Sequence, residues 1–229
     1  MLNTVPPKNR IKTYVEGGIY HVYNRGVEGR KIFEHDQDYL VFLQYLKQAL
    51  TPLPKKGLLK VPFTLQGSTF QGVPRQPKNF VNDVELLGFC LMQDHFHFLL
   101  KQKHKTGMAK FMQSIGTRYS MYFNKKYERT GRLFQGIYKA VLVTEDSHLL
   151  HLSRYIHLNP REYTINLEKA YSSYPVYLKK VSIDWVKPKM IVDIFKNTKD
   201  PLVNTESYKD FVENPNNDTE KHLGKLTIE

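Results

Sequence analysis

The sequence predicts an α+β fold, an antiparallel sheet packed with helices on the ferredoxin-like plan, with a small C-terminal helical extension. Three observations carry this expectation. Residues 18–27 (GIYHVYNRGV) alternate apolar and polar positions and end at Gly26, the pattern of a strand running into a turn. Leu40, Leu43, Leu46 and Leu50 recur at helical spacing in DYLVFLQYLKQAL. Two short runs rich in strand formers follow, Val84 to Met92 and His95 to Gln102. With the segments beyond them, the order is strand, helix, strand, strand, helix, strand, helix, which closes naturally as one sheet covered by helices.

Each element has a local reason. Asp36 is placed to cap the first helix, because its side chain can accept from an unpaired backbone N–H of the first turn. Residues 51–80 hold five prolines, three glycines, five basic residues and no acid, a composition of a loop or a short hairpin extension. The runs at 84–92 and 95–102 are separated by Gln93 and Asp94; periodicity fits one long bent strand or a hairpin equally. After Gly107, Met108, Phe111, Met112, Ile115, Tyr119, Tyr122 and Phe123 form an apolar helical stripe, with Lys110, Arg118, Lys125 and Lys126 largely off it. A strand from Tyr138 to Thr144 leads into a helix from about Asp146 to Leu158, which Pro160 stops by disfavouring helical geometry before it. Residues 1–178 are expected to form one domain, with 51–80 as a loop insertion. Residues 179–229, short helical pieces broken by Pro, Asn and Asp, form a small extension with a polar tail.

Composition narrows the function classes. A chain of 229 residues with 41% hydrophobic side chains sustains a generous core without disulfide staples. Its single cysteine, Cys90, lies in an apolar run and reads as a buried packing residue. No apolar stretch approaches the roughly 20 residues of a membrane span, and MLNTVPPKNR lacks the hydrophobic segment of a secretory signal, so a soluble cytoplasmic protein is expected.

The formal net charge is +12, and most of it sits in one region: between Lys101 and Ala140 ten Lys or Arg face one acid, Glu128. Such a patch favours a polyanion, because each phosphate neutralised releases condensed counterions. Aromatics are interleaved with these charges, a mixture suited to phosphates and unpaired bases, although most of the aromatics read as core. Arg118, Lys125, Lys126, Arg132, Gln135 and Lys139 are the candidate contacts to such a polyanion.

Two short motifs carry chemistry. In His95-Phe96-His97, a strand projects both imidazoles from one face and turns Phe96 to the other, so two nitrogen ligands converge. Taken alone, this is also the pattern of ordinary histidines on a half-buried sheet. In RYIHLNP, residues 154–160, Tyr155 and Asn159 stand four residues apart on one helical face, with His151 a turn earlier. Taken alone, that is equally a core tyrosine with an asparagine at a helix end.

Taken together, the motifs resemble the HUH single-tyrosine transposases, and most closely their REP-associated branch. Four blocks carry the likeness: YHVYNRGVEGRKIF at 20–33, GFCLMQDHFHFLL at 88–100, GRLFQGIYKA at 131–140 and RYIHLNP at 154–160, with YSSY at 171–174 trailing them. The resemblance implies that His95 and His97 are metal ligands, that Asn159 supplies a third, that Tyr155 is the nucleophile, and that the ion is Mg²⁺ or Mn²⁺. It further implies a transposase that cuts and rejoins single-stranded or hairpin repeat DNA through a 5′-phosphotyrosine, as a single chain or a homodimer. One departure stands out: the branch commonly carries Pro-Asn before the first histidine, where this chain has Gln93-Asp94. Asp94 either shapes the turn or adds a carboxylate near the metal. Two rivals remain at this stage, a non-cleaving protein that binds structured DNA and a metal-dependent hydrolase in which Tyr155 only orients substrate.

Overall fold

The computed structural model describes residues 14–54, 60–65, 67–72, 76–201, 203, 205–214 and 223. In chain order the elements are β1 (Ile19–Arg25), α1 (Asp36–Leu50), β2 (Val61–Leu65), β3 (Ser68–Gly72), β4 (Val84–Leu91), β5 (His95–Gln102), α2 (Gly107–Lys126), β6 (Lys139–Val143), α3 (Asp146–Leu158), the single turn α4 (Tyr174–Tyr177), α5 (Lys189–Asn197) and α6 (Tyr208–Glu213). The opening decapeptide and most of the expected polar tail lie outside the described residues.

Strands β4, β5, β1 and β6 form one sheet in that order, with antiparallel pairing throughout. Counting only its own strands, this is the order second, third, first, fourth, so the ferredoxin-like arrangement is met. The runs on either side of Gln93-Asp94 are a hairpin, with Met92 N–H donating to the His95 carbonyl at 2.8 Å. Among the described residues strands β2 and β3 pair with each other alone, so the Pro-rich insertion carries a short hairpin of its own.

Strand alternation divides the core in two. Tyr20 and Val22 of β1, Phe96, Phe98 and Leu100 of β5, and Phe89 and Leu91 of β4 meet Phe42 and Leu46 of α1 and Phe111, Ile115, Tyr119 and Phe123 of α2. On the opposite face Ile19, Leu99, Cys90 and Val143 meet Leu149, Leu150, Leu152 and Ile156 of α3, with Ile191, Phe195, Tyr208 and Phe211 of α5 and α6 behind them. Cys90 is fully covered, and burial pushes its thiol pKa up, as suits a packing residue. A bulge between Leu86 and Gly88 shifts the phase of β4. At Gly88 a Cβ would stand 3.3 Å from Ser173 Oγ and 3.8 Å from His157 Nε2, so a bare backbone suits the close approach of these groups. No helix among the described residues is long and apolar enough to cross a membrane.

Asp36 is not the cap of α1. It begins the helix after His35, while Asp38 accepts from the backbone N–H groups of Glu34 and His35 at 2.9 and 3.1 Å. A carboxylate within the first turn reaches back to these donors, and its charge suits the positive helix end. The last strand is also shorter than the apolar run: Tyr138 lies outside it, its hydroxyl paired with that of Tyr14.

Candidate active site

The site lies on the α3 face of the sheet, where the register aligns Cys90 of β4, His97 of β5, Tyr23 of β1 and Lys139 of β6 in one row. His95 precedes His97 by two residues and shares its face, with ring centroids 5.0 Å apart. Phe96 between them turns to the α1–α2 core and is 3% exposed. His97 is fully buried. Burial, His21 and His95 hold its pKa well below the usual histidine range, against an opposing contribution from Asn159, so the ring is neutral at pH 7 with a lone pair to offer.

Helix α3 delivers the second motif. Asn159 caps it: its backbone N–H and its side-chain amide both donate to the Tyr155 carbonyl, the latter at 3.0 Å. The Asn159 amide oxygen remains as the ligand-type atom of that side chain. The Tyr155 ring meets His97 edge-on at 5.5 Å and His21 at 6.4 Å. His95, His97, Tyr155 and Asn159 are thus gathered at one place from β5 and α3.

These residues fit a divalent ion. His97 Nε2 is a buried atom with no hydrogen-bond partner among the described residues, a costly condition unless a ligand meets it. Asn159 is near enough to influence the ring but does not complete a hydrogen bond to that atom. His95 Nδ1 pairs with Asp94 Oδ1 at 2.6 Å, which turns its Nε2 outward. A histidine whose far nitrogen is held by a carboxylate is the arrangement that orients metal-ligating imidazoles. Asp94 therefore takes a third role between the two expected from sequence, since its contact is to His95 itself. No group of three or more His, Cys, Asp or Glu side chains among the described residues forms a metal cage; two imidazoles and an amide oxygen are a sparser set.

The six candidate DNA contacts separate into three groups. Lys139 is exposed beside the Tyr23 ring, its Nζ 5.5 Å from the centroid, and Gln135 pairs with Arg25. Together with Tyr23, Asn24, Gly136 and Ile137 these residues line a depression of about 260 Å³ adjoining the site. Arg132 and Lys125 are exposed and are not part of that depression. Arg118 and Lys126 belong to the α1–α2 layer across the sheet: Arg118 lies 4.1 Å over the Tyr45 ring and bonds Gln48, and Lys126 Nζ meets the buried Asp38 carboxylate at 2.6 Å. The interleaved aromatics are mostly core, with Phe111, Tyr119 and Phe123 buried and Tyr122, Tyr127, Phe134 and Tyr138 packed against them.

Two histidines of α3, His157 and His151, tie the helix to the C-terminal segment. His157 joins Tyr208 at 2.9 Å and Ser173 at 2.8 Å, and burial pushes its pKa down to about 3. His151 pairs with Asp200 at 3.0 Å. Arg154, 3% exposed, donates to the carbonyls of Phe211 and Asn214, both at 2.7 Å. Sequence reasoning missed His21, Tyr23 and Arg25 as neighbours of the site. Their signal was present, since residues 21, 23 and 25 share one face of β1 by alternation.

The fold and site together define a small antiparallel α+β domain in which a His-x-His strand faces a helix-borne tyrosine. Residues 78–159 match the IS200-like transposases (Transposase IS200 like), and this stretch holds β4, β5, α2, β6 and α3. The solved structure of a REP-associated tyrosine transposase bound to a REP hairpin has the same fold, with a TM-score of 0.51 over 77% of this chain and 95% of that one. At 9% identity that likeness is one of fold. No curated protein matches the chain.

Proposed function

We propose that this chain is a transposase that cuts one DNA strand and keeps its 5′ end as a phosphotyrosine on Tyr155, then passes it to a 3′-hydroxyl. The contact of Tyr155 with His97, whose Nε2 faces no partner, is the observation that carries this reading. His95, His97 and Asn159 would hold a Mg²⁺ or Mn²⁺ ion, which when bound would supply Lewis-acid polarisation of the scissile phosphate. The Tyr155 hydroxyl loses its proton and attacks phosphorus; the Tyr155 O–P bond forms, the P–O3′ bond breaks, and the leaving 3′-oxygen takes up a proton. A phenolate leaves more readily than an alkoxide, so the reverse attack by a 3′-hydroxyl conserves the bond energy and needs no nucleotide cofactor.

Lys139, Gln135 and Arg25 flank the row that contains His97, so they are suited to guide a strand across it, with Lys125 and Arg132 as further phosphate contacts. Single-stranded or hairpin repeat ends are the substrate supported by the fold relative, which is bound to a REP hairpin. Residues 1–178 carry the chemistry in this reading, and within 179–229 the described helices α5 and α6 pack behind α3. The His97 and Tyr155 contact lies within one chain, which favours a site complete without a partner subunit.

The test is to mix the protein with a labelled single-stranded hairpin oligonucleotide and Mn²⁺ or Mg²⁺, then denature. A denaturant-resistant protein–DNA product, abolished by EDTA, is expected. Binding without cleavage would establish the structured-DNA binder instead, and cleavage without a covalent product would establish the hydrolase.

A further inference from the structure

We infer that His21 is a positioning residue that fixes the tautomer of His97, keeping its Nε2 lone pair turned toward the metal; this rests on the metal-ligand reading above. His21 and His97 are both fully buried, and His21 Nε2 lies 2.9 Å from His97 Nδ1. Their rings are 13° from parallel with centroids 5.1 Å apart, and neighbouring strands β1 and β5 hold them there.

A neutral imidazole carries one N–H, so exactly one of these two nitrogens donates. If His21 Nε2 were the donor, His97 Nδ1 would accept and His97 would carry its proton on Nε2. That proton would then be a buried donor with no hydrogen-bond partner among the described residues, which costs about 1–3 kcal/mol. If His97 Nδ1 donates instead, His97 strands no donor and its Nε2 presents a lone pair. The unpartnered Nε2 therefore selects the second arrangement. In it His21 does for His97 what Asp94 does for His95: each metal-facing imidazole has its far nitrogen held from behind, one by a carboxylate and one by another imidazole. A ring nitrogen in this role orients its partner without adding negative charge at the deeper of the two ligands.

The experiment uses the full chain and two readouts. Long-range ¹H–¹⁵N NMR on histidine-labelled protein without metal is expected to show His97 as the Nδ1–H tautomer. A His97 ring protonated on Nε2 would overturn the inference, whatever the variants do. Mn²⁺ binding, followed by electron paramagnetic resonance, is expected to weaken about 10- to 100-fold in His21→Leu. In His21→Gln, whose amide oxygen reaches the same place as an acceptor, most of the affinity is expected to return. Equal Mn²⁺ affinity in wild type and His21→Leu would also sink the inference. Absence of Mn²⁺ binding in the wild type would instead remove the metal reading. Should His21→Leu fail to fold, the tautomer measured on the wild type still decides the matter.

Discussion

The Tyr155 ring stands edge-on to the His97 ring, 88° between their planes and 5.5 Å between centroids, so the helix-borne tyrosine and the strand-borne histidine share one site within a single chain. Tyr155→Phe keeps the ring and this contact. It is expected to change stability by no more than about 1.5 kcal/mol, the worth of one hydrogen bond, and to leave hairpin and Mn²⁺ binding intact. The covalent product should vanish. Tyr23 is the neighbour able to compete, but it is nearly buried, and burial with the nearby Tyr155 raises its pKa, which disfavours its phenolate. Mass spectrometry placing phosphate on Tyr23, or on any tyrosine of α2, would reassign the nucleophile.

Lys139 and Lys126, both basic candidates from the sequence, are expected to behave oppositely. Lys139→Ala should weaken binding to single-stranded DNA and reduce the salt slope by about 0.7, the loss of one phosphate contact, at little cost in stability. Lys126→Ala removes the ion partner of the buried Asp38. Because Lys126 is itself 24% exposed, the expected cost is discounted for solvent to about 1–3 kcal/mol. Its DNA affinity should hardly change. Salt-dependent binding titrations beside urea unfolding separate the two, and an unchanged salt slope in Lys139→Ala would remove that residue from the DNA path.

Asp38 ties acid stability to the α1–α2 layer. Burial raises its pKa, but Lys126, Tyr127 and two backbone N–H groups outweigh that and hold it at about 2, below the ordinary 3.8. A carboxyl whose folded pKa is depressed stabilises the fold above its unfolded pKa and loses that contribution as pH falls toward the folded one. The shift corresponds to about 2 kcal/mol, present above pH 4 and lost between about pH 4 and 2. Unfolding curves of wild type and Asp38→Asn across that window test it: the variant should be less stable at neutral pH and should lack this part of the acid slope.

Arg154 precedes Tyr155, the proposed nucleophile, in sequence yet points away from the site, to the carbonyls of Phe211 and Asn214. Replacing it with Met leaves those acceptors without their cationic donor and is expected to cost about 2–4 kcal/mol. Limited proteolysis should then cut first between α5 and α6. Unchanged stability and an unchanged cleavage pattern would show that the extension holds to α3 by apolar packing alone.

The sequence by itself determined the layered α+β plan, because period-two alternation in 18–27 and the helical stripes at 38–50 and 108–123 are local consequences of backbone geometry. It also determined that His95 and His97 share a face and that Tyr155 and Asn159 share another, since both pairs lie within one element. Pro160 ended α3 where expected, for the same local reason. Only the tertiary structure decided what depends on register between strands and on packing between layers. Gln93 and Asp94 turn a hairpin, a choice that periodicity leaves open but cross-strand hydrogen bonds make definite. His21, remote from His97 in sequence, comes to hydrogen-bond distance because β1 and β5 are neighbours in the sheet. Charge composition marked Arg118, Lys126 and Lys139 alike, whereas packing sent the first two to α1 and left the third beside the histidines. A basic side chain responds to whatever carboxylate, ring or solvent the folded chain brings to it, and those partners are distant in sequence.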